Sequence, residues 1–209
     1  MGTAVPEEVP EGADFFIVCV PDKAVQDVVL KFRCHKGIWL HTSGALSLAV
    51  FEGHQSQCGV LYPLQTLTRQ RTIEKEEIPF LVEGSTQVVT DAIHELASSM
   101  TGNVHIMSAA SRLMIHLAAV FANNFSNHMV NVAQQILEEQ GIDVKLMDPL
   151  LKETFSKISE IGAAGAQTGP ASRGDEETMK KHLELLLEHP EWKNLYTFIS
   201  RDIGRFRKD

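Results

Sequence analysis

The sequence predicts an α/β protein in which a strand-rich α/β segment, residues 1–107, is followed by an all-helical domain, residues 108–209. Three observations carry this expectation. Up to Met107, short apolar runs of strand length alternate with stretches of helical period. From Ser108 to Gln140 the chain has neither Pro nor Gly and is rich in Ala, Leu and Met. Beyond Gly141, further helical stretches are separated by Gly, Ala and Pro.

The elements follow in order. Phe15 to Val20 is a continuous apolar run, which suits a strand buried on both faces of a parallel sheet, and Pro21-Asp22 ends it. A helix from Lys23 to Phe32 turns Ala24, Val25, Val28 and Val29 inward, and Gly37 to His41 is the next strand, which completes a β-α-β unit. Thr42-Ser43-Gly44 closes that strand, a short helix covers Ala45 to Phe51, and Gly59 to Tyr62 is a strand leading into Pro63-Leu64-Gln65. Ile78 to Val82 and Asn103 to Met107 supply two more strands around a helix from Val88 to Met100, as in a wound α/β sheet. Ser108 to Gln140 reads as one long helix with a kink at its Asn-rich middle, stopped by Gly141. Helices at Met147 to Ile161, Asp175 to Glu188 and Pro190 to Phe206 follow, the last opened by a proline suited to a first turn. Gly162 to Gly174 is a Gly- and Ala-rich connection.

Composition narrows the function classes. With 44% hydrophobic and 22% charged residues, the chain has the means to build an ordinary globular core. A formal net charge of −8 argues against binding to phosphate backbones, and the basic cluster Arg205, Arg207, Lys208 is better explained as the solvated end of a terminal helix. Cys19, Cys34 and Cys58 lack metal-ligand spacing and read as buried small hydrophobes in a reducing cytoplasm; the histidines offer no metal site either. Met1 to Gly12 carries no basic start and no long apolar run, which predicts neither a signal peptide nor a membrane anchor.

Chemistry concentrates in three places. On the long helix, Arg112, His116, Asn123 and Asn127 fall within about 60° of one another if the helix is regular, forming a polar stripe. A solvent-facing stripe is the plain alternative, but there is no Lys, Asp or Glu between Arg112 and Glu138, so the wall of a polar cleft is the sharper reading. His116 is then the acid–base candidate, with Asn123 beside it. The opposite arc, Leu113, Met114, Leu117, Ala118, Phe121 and Phe125, is wide enough to predict a centrally placed helix. In the connection Thr168 to Asp175, Asp175 is a helix cap, and Thr168 and Arg173 are candidate substrate ligands, the Arg as an anion clamp. Finally, Val20-Pro21-Asp22, and His41, Ser43 and Gly44, lie just past the carboxyl ends of strands, where open α/β sheets bind ligands; Gln65 follows a third strand in the same way.

The ordered set Val-Pro-Asp, His-Thr-Ser-Gly, Tyr62-Pro63-Leu64-Gln65-Thr66, the Arg112 to Asn127 helix and Thr-Gly-Pro-Ala-Ser-Arg-Gly-Asp resembles the bacterial Rossmann-like family with the domain of unknown function 2520, from about Ala13 onward. That resemblance implies a partial Rossmann-type sheet followed by a helical domain like the C-terminal domain of 6-phosphogluconate dehydrogenase, an architecture also seen in pyrroline-5-carboxylate reductase. It implies NADP or NAD as cofactor at Val20, Pro21, Asp22, His41, Ser43 and Gly44. It implies a small anionic substrate at Gln65, Arg112, Asn127, Thr168 and Arg173, and a homodimer built on the helical domain. No Gly-x-Gly-x-x-Gly precedes the first strand, so the family's first β-α-β unit is missing and weak cofactor binding by this chain alone is expected. Two functions follow: an NAD(P)-dependent oxidoreductase or its remnant, and a non-catalytic nucleotide- or metabolite-binding or dimerisation protein.

Overall fold

The computed structural model describes residues 5, 8–10, 12–31, 36–68, 70–71 and 73–206, arranged as two compact units, residues 1–126 and 127–209. The expectations for Phe32, Cys34, Arg207 and Lys208 lie outside the described residues.

The first unit is a five-stranded mixed sheet in sequential order: β1 (Phe15–Val18), β2 (Ile38–His41), β3 (Cys58–Pro63), β4 (Phe80–Gly84) and β5 (Val104–Ile106). β1, β2 and β3 run parallel, β4 is antiparallel to β3, and β5 is parallel to β4. The reversal corrects the expectation of a regularly wound sheet. Among the described residues, 3-10 turns, Leu48–Phe51 and Lys75–Glu77, are the helical elements between β2 and β3 and between β3 and β4. The chain between β3 and β4 returns beside β3 in the opposite direction.

The helices α1 (Asp22–Lys31) and α2 (Gln87–Ser98) cover opposite faces of the sheet. α1 buries Val25 and Val29, flanked by half-buried Ala24 and Val28, as its periodicity predicts. They meet Phe16, Val18, Trp39, Phe51 and Cys58, with the Phe16 and Trp39 rings stacked at 4.7 Å. On the other face Leu40, Leu61 and Val82 pack under Val89, Ile93 and Ala97 of α2. Thr86 caps α2 by accepting the Val89 N–H, and Gly84 lets the first turn of the helix approach, because a Cβ there would strike the backbone of Thr90.

β1 departs from its expectation. It has a single strand neighbour among the described residues, and Ile17 is 44% exposed while Phe16 and Val18 are buried, an alternation proper to a strand covered on one face. The strand stops at Val18, and Cys19 and Val20 are exposed, so Cys19 is not the buried hydrophobe its type suggests; Cys58 is.

The long helix runs as α3 (Ala109–Ala119), a π-helical stretch (Val120–Phe125) and α4 (Ser126–Glu139). The irregularity falls on the Asn123-Asn124 middle where a kink was expected. Leu113, Met114, Leu117, Phe121 and Phe125 are exposed, so within this chain the helix is not buried all round, contrary to its reading as central.

The second unit holds α4, a 3-10 turn (Val144–Met147), α5 (Asp148–Ala166), α6 (Pro170–Arg173), α7 (Glu176–Leu185) and α8 (Pro190–Arg205). α5 is interrupted at Gly162, whose φ of 76° and ψ of 156° no other residue adopts cheaply, so its first segment ends where the sequence predicts. Asp175 caps α7 by accepting from the backbone N–H and the hydroxyl of Thr178 at 3.0 and 2.8 Å, which holds its carboxyl below the usual range. His189 stacks on Trp192 at 4.1 Å and places Nε2 3.0 Å from Glu139, linking the end of α4 to the start of α8. Leu186 is the one buried hydrophobic among the unit's described residues, whereas Leu146, Leu150, Phe155, Phe198 and Phe206 are exposed.

Candidate functional site

Because β1, β2 and β3 are parallel, their carboxyl ends deliver Val20–Asp22, His41–Gly44 and Tyr62–Gln65 to one edge of the sheet. The middle loop is built by Ser43. Its hydroxyl donates to Asp22 Oδ2 at 2.9 Å and accepts the N–H groups of Ala45 and Leu46 at 3.0 Å each. His41 is fully buried, stacks on Phe51 at 5.7 Å, and accepts the Ser43 N–H at Nδ1 over 3.2 Å. Its Nε2 has no hydrogen-bond partner among the described residues. Burial, and next the Arg112 guanidinium, lower its pKa to about 4, so the ring is neutral near pH 7. Of the six expected cofactor residues, His41, Ser43 and Gly44 are thus buried loop builders, while Val20, Pro21 and Asp22 are exposed.

Gly44 is where the loop meets the long helix. A Cβ at this position would lie 2.7 Å from Nδ1 of His116 and 2.9 Å from Cζ of Tyr62, so only glycine lets the three segments touch. The Tyr62 hydroxyl stands 3.2 Å from His116 Nδ1, and the two rings meet edge to face at 6.0 Å. Burial pushes the Tyr62 phenol up, so it stays protonated. Tyr62, Gln65, Ile115, His116, Val120 and Asn123 are among the residues lining a cleft of about 660 Å³. That volume suits a small ligand.

The helix is seated by a buried ion pair. Arg112, 1% exposed, donates to Glu83 on β4 and to the carbonyl of Leu46, while the other Glu83 oxygen accepts the Ala109 N–H at 3.2 Å. Arg112 therefore does not stand open to a substrate as expected; its guanidinium ties α3 to the sheet, and its Nε finds no partner among the described residues. Asn123, in the π-helical stretch, lines the cleft, and Asn127 belongs to the second unit.

In the second unit, Thr168 is among the residues lining a separate, largely apolar pocket of about 340 Å³, with Leu186, Leu195 and the His182–Tyr196 pair, which is hydrogen-bonded at 2.9 Å. Arg173 is exposed. The residues missed by sequence reasoning are Tyr62 as partner of His116, Glu83 as partner of Arg112, and the His182–Tyr196 pair. No spacing rule links positions so far apart. Among the described residues there is no group of three metal-ligating side chains, and no helix is long and apolar enough to cross a membrane.

Residues 78–203 match the family described as a domain of unknown function (DUF2520). The chain is 34% identical to a "putative NADP oxidoreductase" from Bacteroides fragilis, with a TM-score of 0.90 over 97% of this chain and 80% of that one. It is 23% identical to a Thermotoga maritima protein, with a TM-score of 0.80 over 92% of this chain and 80% of that one. It is 14% identical to a "putative oxidoreductase" from Mycobacterium avium, with a TM-score of 0.60 over 97% and 79% of the two chains. The latter two likenesses are of fold alone. No curated protein matches the chain.

Proposed function

The chain belongs to this family of Rossmann-like proteins, and we propose that it is an NAD(P)-dependent oxidoreductase acting on a small anionic metabolite, with His116 as its acid–base group. The observation that carries the reading is the convergence of Gly44, Tyr62 and His116 at the wall of a cleft that also holds Gln65 and Asn123. The Bacteroides fragilis relative, described as a "putative NADP oxidoreductase", supports the cofactor class.

The described residues fit part of such a cofactor. Val20, Pro21 and Asp22 lie exposed at the carboxyl edge of the sheet, where a dinucleotide is received. This chain has no Gly-x-Gly-x-x-Gly turn to cradle a pyrophosphate. A bound reduced nicotinamide supplies a hydride. The chain's own residues do the rest: His116 exchanges a proton with the substrate oxygen or nitrogen, and Gln65 and Asn123 hydrogen-bond and orient it. Within the helical unit, Arg173, exposed and without an ion-pair partner among the described residues, and Thr168 are the residues proposed for anion contact. Arg112, closed in by Glu83 and Leu46, has no part in that contact.

The protein works as a homodimer in the cytoplasm on this reading. The exposed Leu146, Leu150, Phe155, Phe198 and Phe206 of the helical unit support the dimer. A second reading is a non-catalytic nucleotide- or metabolite-binding or dimerisation protein. Calorimetric titration with NADPH and NADH separates the two. Binding followed by loss of turnover in His116→Ala supports the oxidoreductase; unaffected turnover in that variant removes His116 from the role. Failure of both dinucleotides to bind turns the assignment to the second reading. Sedimentation as a monomer contradicts the dimer.

A further inference from the structure

We infer that Tyr62 is a positioning residue that fixes the tautomer of His116, so that Nε2 carries the hydrogen and the site accepts a ligand atom with a lone pair. The inference deepens the reading of His116 as the acid–base group and concerns the neutral ring, whose Nε2–H is a hydrogen-bond donor. To serve as the acid of the proposed reaction the ring must first be the imidazolium, with the Tyr62 hydroxyl turned to accept from Nδ1–H, and the physical basis of the inference is independent of any substrate.

Tyr62 sits on β3, which is paired on both sides, to β2 and to β4, where Tyr62 itself lies opposite Leu81. Its phenol is therefore held by a fixed backbone. Among the described residues, its hydroxyl has His116 Nδ1 as its hydrogen-bond partner, and His116 has no other. Between a phenol and a neutral imidazole, the O–H is the stronger donor and the imidazole lone pair the stronger acceptor. Tyr62 O–H therefore donates to Nδ1. A ring nitrogen that accepts such a bond cannot hold its own hydrogen, so in the neutral ring the proton resides on Nε2.

Gly44 closes the arrangement from the other side. A Cβ there would come within 2.7 Å of Nδ1, so the glycine backbone is what lets the imidazole sit against the phenol. A lone histidine on a helix would sample both tautomers and several rotamers; this one has a hydroxyl at one nitrogen and a backbone against its flank. The nitrogen left for a ligand is then a donor at neutral pH. It suits a carbonyl, hydroxyl or carboxylate oxygen and rejects an ammonium group, which has only hydrogens to offer.

The test is nitrogen NMR of the histidine rings in the full chain at pH 7.5, with the His116 signals assigned by their loss in His116→Gln. The expected spectrum shows Nδ1 as the unprotonated and Nε2 as the protonated nitrogen. In Tyr62→Phe, which keeps the ring and loses only the hydroxyl, the two signals move toward each other as the tautomers average. Gly44→Ala gives the same averaging with the phenol still present. A wild-type ring protonated at Nδ1, or a Tyr62→Phe spectrum unchanged at His116, overturns the inference. Neither outcome depends on cofactor binding or turnover, so a failure here leaves the proposed function standing, and a failure of the dinucleotide titrations leaves this inference standing.

Discussion

Acidification from pH 7 to pH 5 will destabilise the first unit through His41 in particular. This imidazole has a pKa lowered from 6.5 to about 4 in the folded chain, first by burial and then by the Arg112 charge. A base held below its ordinary value binds fewer protons folded than unfolded at any pH between the two. Stability therefore falls as pH drops from 6.5 toward 4, and is unaffected by this group well above 6.5. At pH 5 the unfolded imidazole is almost fully protonated and the folded one is not, which costs about 2 kcal/mol relative to pH 7. The partner for comparison is His41→Asn, whose side-chain oxygen still accepts the Ser43 N–H but cannot titrate. It loses the stack on Phe51, a cost that does not vary with pH. Urea midpoints for both proteins at pH 7 and pH 5 isolate the effect, because the other titrating groups are common to the pair. The expected result is a wild-type loss exceeding that of His41→Asn by about 2 kcal/mol. Equal losses in the two proteins would refute the argument.

Three other outcomes rest on contacts of the same unit and on the break in α5. Arg112→Met leaves the Glu83 carboxylate without its cation and should cost about 3 kcal/mol in urea unfolding, part of it recovered when Glu83→Gln is added. Gly84→Ala drives a methyl group into the backbone of Thr90 and should lift α2 off the sheet at a cost of about 1–3 kcal/mol, measured by thermal melting. Gly162→Ala forces a side chain onto a backbone at φ 76° and ψ 156° and should cost about 1–3 kcal/mol, whereas Gly165→Ala, at open helical geometry in the same element, should be nearly neutral by the same measurement.

Local features were the ones legible in the sequence. The inward face of α1, the stop at Gly162, the Asp175 cap, the proline opening α8 and the disturbed middle of the long helix all stem from periodicity or from residue types with strong backbone preferences. The direction of β4 was not legible, since strand patterns look alike in either direction and only the connection decides. The polar stripe was half legible. Helical spacing predicts that Arg112 and His116 share a face, and both do lie on the side toward the sheet. Spacing does not reveal that Glu83, 29 residues earlier, closes over Arg112, or that Tyr62, 54 residues earlier, reaches His116. Nor does it foresee the π-helical turn in the middle of the long helix. The apolar arc of α3 was read as buried because amphipathic faces seek cover, yet the cover is not provided within this chain.

The two links between α3 and the sheet are also commensurate. On the sheet, Glu83 lies opposite Val60 and Leu81 opposite Tyr62, so the lower and upper attachment levels are two strand residues apart, about 6.6 Å. On the helix, Arg112 and His116 are four residues apart, about 6 Å. Helix and strand thus act as the two scales of a vernier, matched at both marks. One residue inserted between Arg112 and His116 would turn the imidazole by about 100°, and one inserted between Val60 and Tyr62 would send the phenol to the other face. These two short intervals can vary in composition but not in length, so an insertion there should abolish the Tyr62–His116 contact even where all four attaching side chains are retained.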